Sequence, residues 1–213
     1  LRAPAHPLAR DLLTGFGGPV AAPSANTAGE VSPTRAVHVA HSLGKKADMI
    51  IDGGDCAIGL ESTVIDLCGD QPALLRHGAI THEQLEACLG PVEDATHPVD
   101  GAVPRSPGQL ARHYAPRIPV RLNVRGARPE DALLTFGGNS SGEPATRLDL
   151  SPTGDLTEAA ANLFAFLRQL DTGPHRAIAV APIPYTGLGR AINDRLRRAA
   201  EAHAHPKNEK HNG

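Results

Sequence analysis

The chain has no tryptophan, two tyrosines and four phenylalanines, so aromatic residues make up only 3% of it. Few flat side chains are left on which nucleic-acid bases could stack. It also lacks an excess of either charge: 21 Lys plus Arg stand against 23 Asp plus Glu, a formal net charge of −2. No bulk basic field exists to hold a polyanion, and any anion must be bound by local groups. Cysteine is scarce. Cys56, Cys68 and Cys88 are widely spaced with no Cys-x-x-Cys pair, which argues against a disulfide framework and a zinc knuckle and fits a reducing cytoplasm. No apolar run approaches the roughly 20 residues that cross a bilayer, and no basic segment leads into a hydrophobic core of signal-peptide length. The expectation is a cytoplasmic protein with no membrane partner. No nucleophile elbow, His-Glu-x-x-His, Walker loop or complete Gly-x-Gly-x-x-Gly occurs either.

What is present suffices for one large or two modest domains: 213 residues, 40% of them hydrophobic. A short helix is expected from Leu8 to Thr14, stopped by Gly15, Gly17 and Gly18, and a strand from Pro19 to Ala22. Ser32-Pro33-Thr34 reads as the entrance of a helix whose apolar positions Ala36, Val39, Ala40 and Leu43 precede Gly44. Strands are expected at 48–52, 62–67 and 73–76. Thr81 with Gln84 makes a capping box for a helix ending at Leu89 and Gly90. A proline-rich connector runs through 93–118, followed by short strands at 120–124, 132–136 and 146–150. Asp155 and Glu158 predict a second capping box, opening a helix with Leu163, Phe164, Leu167 and Leu170 on one face. A buried strand at 176–183 and a helix at 189–202 complete a parallel, Rossmann-like pattern. The tail, 205–213, is polar and expected to fray.

Candidate chemistry concentrates in three places. Residues 23–34 pass from an apolar run through Ser24, Asn26 and Ser32 into a helix, an arrangement that can hold phosphate on helix amides and hydroxyl donors. On pattern alone, closing Asx-type turns and capping a helix explains the same residues. Glu61, Ser62 and Thr63 sit at a strand entrance beside a glycine-rich turn. Arg76 ends a strand, where a planar guanidinium could pair with a phosphate or carboxylate. Among the 11 histidines, His38 and His41 share a helix face without a third metal ligand. Arg195, Arg197 and Arg198 are expected to form a solvated face of the last helix.

Read in order, PVAAPSANTAGEVSPT, IDGGDCAIGLESTVID, LLRHGAI, SPGQLARHYAP and IAVAPIPYTGLGRAINDRLRRAA resemble the YrdC-like family in its two-domain form, the threonylcarbamoyl-AMP synthases. The resemblance implies an α/β fold. A partial YrdC-like twisted mixed sheet with helices over 1–92 would be followed by a linker or lid over 93–118 and a smaller Rossmann-like domain over 119–204. It implies a nucleotidyltransferase that joins L-threonine, bicarbonate and ATP with Mg into threonylcarbamoyl-AMP and pyrophosphate. The product would pass to a transfer machinery for tRNA modification, with only weak or indirect contact with tRNA itself. By similarity, Arg2, the Ala22 backbone and Ser62 would meet threonine, while Ser24, Ser32, Arg76 and Tyr114 would contact ATP. No catalytic nucleophile and no structural metal are implied. The family's front portion has no counterpart before Leu1, so a truncated chain with an open sheet edge and little synthase activity alone is expected. The alternatives are an RNA-binding YrdC-like module and a carbamoyl-adenylate-forming carbamoyltransferase relative.

Overall fold

A computed structural model of the protein describes residues 1–96, 106, 114–138 and 142–204. Most of the lid expected at 93–118 and the tail at 205–213 lie outside the described residues. In chain order the elements are α1 (Pro7–Phe16), α2 (Ala36–Leu43), β1 (Val64–Asp66), β2 (Ala73–Arg76), α3 (His82–Leu89), β3 (Glu93–Asp94), β4 (Val120–Arg121), β5 (Ala132–Thr135), β6 (Thr146–Asp149), α4 (Leu156–Asp171), β7 (Ile178–Val180) and α5 (Leu188–Ala204).

The second half holds the larger core. β4, β7, β5 and β6 form, in that order, a wholly parallel sheet. Parallel sheets are covered by helices, which is why β5 and β7 are buried along their whole length. Leu163, Phe164, Leu167 and Leu170 of α4 fall on one face, as the 3.6-residue period demands, and are fully or almost fully buried with Ile192, Leu196 and Ala199 of α5. Val31 and Tyr114 join the same cluster, so the core crosses into the first half and into the connector between the two halves.

The expected capping box of α4 forms only in part. Asp155 accepts from the Thr157 amide, but the Asp155 amide is taken by the Ser151 hydroxyl oxygen at 2.9 Å, and Ser151 in turn donates to Glu158. Ser151 thereby stands in the place the Glu158 side chain was expected to fill. The Thr81–Gln84 box of α3 is complete in both directions.

The first half is built differently. Its small mixed sheet has the order β1-β2-β3, β1 antiparallel and β3 parallel to β2. The expected strand at 62–67 pairs only over Val64–Asp66, and those expected at 19–22 and 48–52 do not form. Val20, Met49, Ile50 and Ile51 are exposed there. Alternating or apolar sequence favours a strand only when a partner strand supplies cross-strand pairs, and neither segment has one among the described residues. Helix α1 runs through Gly15 to Phe16, two residues past the expected end at Thr14, and stops on Gly17 at φ 71, one of the expected glycines, yet buries none of its side chains. Apart from Tyr185, the exposed large hydrophobics of the described residues all lie between Leu1 and Leu89.

This asymmetry predicts mutational outcomes. Leu163→Ala should cost about 2–5 kcal/mol through lost burial and a residual cavity. Leu12→Ser, on the unburied α1, should change stability by no more than about 0.5 kcal/mol. Urea unfolding of the two variants checks the contrast.

Candidate functional site

The residues singled out in the sequence fall into three sets: Arg2 with Ala22, Arg76 with Ser62, and Ser24 with Ser32. At the N-terminus, the Arg2 guanidinium donates to the Ala22 carbonyl at 3.1 Å. At the end of β2, Arg76 is 6% exposed, and its Nε and Nη2 donate to the Ser62 carbonyl at 3.0 Å and hydroxyl at 3.3 Å. Burial lowers the Arg76 pKa, partly offset by the neighbouring Tyr114 and Glu61. Ser24 and Ser32 line a cleft of about 210 Å³ with Thr34, Gly59, Glu61 and Phe164. A larger cleft of about 730 Å³ lies between α2 and α4 and contains none of the candidates; His38, His41, Arg35 and Arg168 line it instead.

Ser32 does not cap α2, whose N-cap is Arg35 without a side-chain cap bond. The Ser32 hydroxyl donates to Glu61 Oε1 at 2.6 Å. Its proton is thus committed to a carboxylate, and what its oxygen offers a ligand is lone pairs. The expectation of a hydroxyl donor at Ser32 is corrected on this point: the Glu61 carboxylate lies within reach and accepts its proton.

Two glycines let these segments approach so closely. A Cβ on Gly78 would collide with the Thr63 amide, the Glu61 carbonyl and the Ser62 backbone, and one on Gly59 would lie 2.5 Å from the Ala161 carbonyl of α4. From below, Arg168 of α4 donates to the Val31 and Ser32 carbonyls and to the Ser42 hydroxyl.

The larger correction concerns α5. Arg195 is fully buried and Arg198 is 4% exposed, so the expected solvated arginine face is not there. Arg195 donates to Glu61 Oε2, Asp194 Oδ2 and the His77 carbonyl, each at 2.8 Å. Arg198 pairs with Asp194. A buried guanidinium is tolerated only with such compensation. The spacing carried the signal: Ile192, Arg195 and Ala199 are three and four residues apart, which puts Arg195 on the apolar face. Burial pushes the Glu61 carboxyl up, but Arg195 and the hydrogen bonds from Ser32 and Arg195 hold it below its ordinary value.

Tyr114 lies under this group rather than at the surface. It is fully buried, stacks on Phe164 at 5.4 Å between centroids and receives the Arg195 guanidinium 5.2 Å above its ring. Its backbone has φ 61, a left-handed conformation that a bulky residue rarely adopts and that this packing enforces. Burial pushes its phenol from 10.0 up to about 12, against the pull of Arg195. The raised value favours the neutral form in the fold. The resulting stability is fully present below pH 10 and is lost as pH rises through about 12.

Comparison with known proteins places this geometry. Residues 80–201 match the model described as threonylcarbamoyl-AMP synthase, C-terminal domain, and residues 1–78 the model described as telomere recombination. The chain is 38% identical to the threonylcarbamoyl-AMP synthase of Bacillus subtilis, over 94% of this chain and 62% of that protein. It is also 38% identical to that of Pyrococcus abyssi, over 94% and 63%. Its fold is similar to the crystal structure of Pyrococcus abyssi Sua5 complexed with L-threonine, with a TM-score of 0.80 and 36% identity over 94% of this chain and 63% of that one. The chain thus spans a little over three fifths of the length of these relatives.

With Tyr185 replaced by phenylalanine, Tyr114 remains as the single tyrosine of the two in the sequence. Tyrosinate absorbance of Tyr185→Phe should then rise with a midpoint near pH 12. A midpoint near 10 with retained helical circular dichroism contradicts the burial of Tyr114.

Proposed function

The chain belongs to the threonylcarbamoyl-AMP synthase family, and from that premise we propose that it carries threonine- and ATP-binding parts of a site that makes threonylcarbamoyl-AMP. The substrates are L-threonine, bicarbonate and ATP with its Mg²⁺, and the products are threonylcarbamoyl-AMP and pyrophosphate. In this reading the enzyme is a nucleotidyltransferase acting in the cytoplasm, and its product supplies a machinery that modifies tRNA.

The observation that carries the proposal is the bond between Arg76 and Ser62. It joins a residue assigned to the nucleotide with one assigned to the amino acid, so the two substrates are held side by side. Arg2 meets the threonine carboxylate, with the Ala22 carbonyl orienting its guanidinium. Ser62 and the Ala22 backbone complete the amino-acid side, while Ser24, Ser32 and Arg76 serve the nucleotide directly; Tyr114, expected to contact ATP, is fully buried here and serves the nucleotide side only through the Arg195 guanidinium packed on its ring. Threonine's amine takes up bicarbonate, the new N–C bond replacing a C–OH bond with loss of water, to give a carbamate. A carbamate oxygen then forms a bond to the α-phosphorus as the bond to pyrophosphate breaks. That step needs no protein nucleophile; it needs alignment of two bound molecules and a cation beside the phosphorus, which Arg76 supplies. Mg²⁺ arrives on the triphosphate, whose oxygens are its natural ligands.

The buried, paired arginines of α5 do not supply a basic stripe for RNA, so the RNA-binding alternative gains no support. Turnover by this chain alone is expected to be weak, because many apolar residues between Leu8 and Leu89 are exposed.

Calorimetric titration with L-threonine and with ATP in Mg²⁺ tests the binding reading. Arg76→Ala should weaken ATP and Arg2→Ala should weaken threonine by at least about tenfold, roughly 1.4 kcal/mol each. Unchanged affinities overturn the residue assignments. Pyrophosphate release with all three substrates tests the activity, and robust turnover by the isolated chain overturns the expectation of weak turnover.

A further inference from the structure

We propose that Arg195, which lies in the C-terminal half of the chain, is a positioning residue for the site in the first half, acting through Glu61 on Ser32 and through its own contact on Tyr114. The inference rests on the site reading above and adds to it the group that sets the site's shape.

The geometry is specific. Three of the four groups around the Arg195 guanidinium belong to segments that carry candidate residues. Glu61, bonded at 2.8 Å, precedes Ser62. The His77 carbonyl, also at 2.8 Å, follows Arg76. Tyr114 lies under the guanidinium at 5.2 Å. The fourth, Asp194, is the neighbour on α5 and is itself held by Arg197 and Arg198. The planar fork of arginine reaches these acceptors in fixed directions, which an ammonium cannot do. Glu61 uses one oxygen for Arg195 and the other for Ser32. The position and ionisation of that carboxylate therefore decide where the Ser32 proton points. Arg195 is fully buried, so a partner that moves leaves one of its donors without an acceptor inside the fold.

A purely structural cation would lower the stability of the whole fold evenly. A positioning residue changes the segments 29–34 and 58–64 while leaving α4 as it is, and its effect passes through Glu61. Amide hydrogen exchange of the ligand-free chain separates the two. Arg195→Gln and Glu61→Gln should each speed exchange in both segments by at least tenfold, and the double variant should be no faster than the single ones. Arg121→Gln, which breaks the Arg121–Asp131 pair within the second half, should leave both segments unchanged. Arg195→Lys should fall between wild type and Arg195→Gln. If Arg195→Gln also loses protection in α4, the comparison is made on Glu61→Gln and Arg195→Lys, which keep more of the packing.

Unchanged exchange in both segments, or effects that multiply in the double variant, overturn the proposal. Calorimetry adds the ligand arm: Arg195→Gln should weaken ATP at least tenfold, with little further loss on adding Ser32→Ala, and full additivity overturns the route through Ser32. Absence of ATP and threonine binding in the wild-type chain counts against the functional reading alone. The exchange result then still decides whether Arg195 positions these segments.

Discussion

A single buried guanidinium organises the junction between the two halves of this protein. Arg195 has no exposed surface, and besides the neighbouring Asp194 its charge is compensated by a carboxylate from the 61–63 turn, a carbonyl after β2 and an aromatic ring from the connector. Removing an ion from water costs several kcal/mol unless these partners are in place. The fold can bury Arg195 only when the three segments take the arrangement seen here. Arg168 works alongside it, fixing the carbonyls of Val31 and Ser32 from α4. The C-terminal half thus acts as a base on which the candidate site is mounted.

The first half depends on this base because its own core is thin. Its sheet has three short strands, and β1, paired on one side only, is an edge. Exposed apolar residues run from α1 through 49–51 to the end of α3. Residues that it does bury, among them Val31, Leu74, Leu75 and Arg76, lie where segments meet β2 or the second half. Of the candidate residues, Ser32, Arg76 and Tyr114 are buried, and Arg2, Ala22, Ser24 and Ser62 are exposed.

Much of this was legible in the sequence where the cause is local. The Thr81–Gln84 box, the Gly17 stop and the apolar stripe of α4 each depend on residues within a turn or two of one another, and all formed. The segments 19–22 and 48–52 did not become strands, because strand formation is a property of pairs and the partner is not written in the segment itself. Glu158 missed its cap because Ser151, outside the helix, reached the same amide first. The motif order from PVAAPSANTAGEVSPT to GLGRAINDRLRRAA was enough to find the family, and the matches over 1–78 and 80–201 agree with it.

The sequence by itself determined the helices, the parallel character of the second sheet and the identity of the family, since these rest on caps, periodicity and motif residues read within short windows. Only the tertiary structure decided that Arg195 is buried, that Ser32 spends its proton on Glu61 and that Tyr114 is held in a left-handed backbone conformation. The reason is distance along the chain. Of the two carboxylates that compensate this buried charge, Asp194 is the chain neighbour but Glu61 is 134 residues away, and no local pattern records which remote carboxylate will arrive.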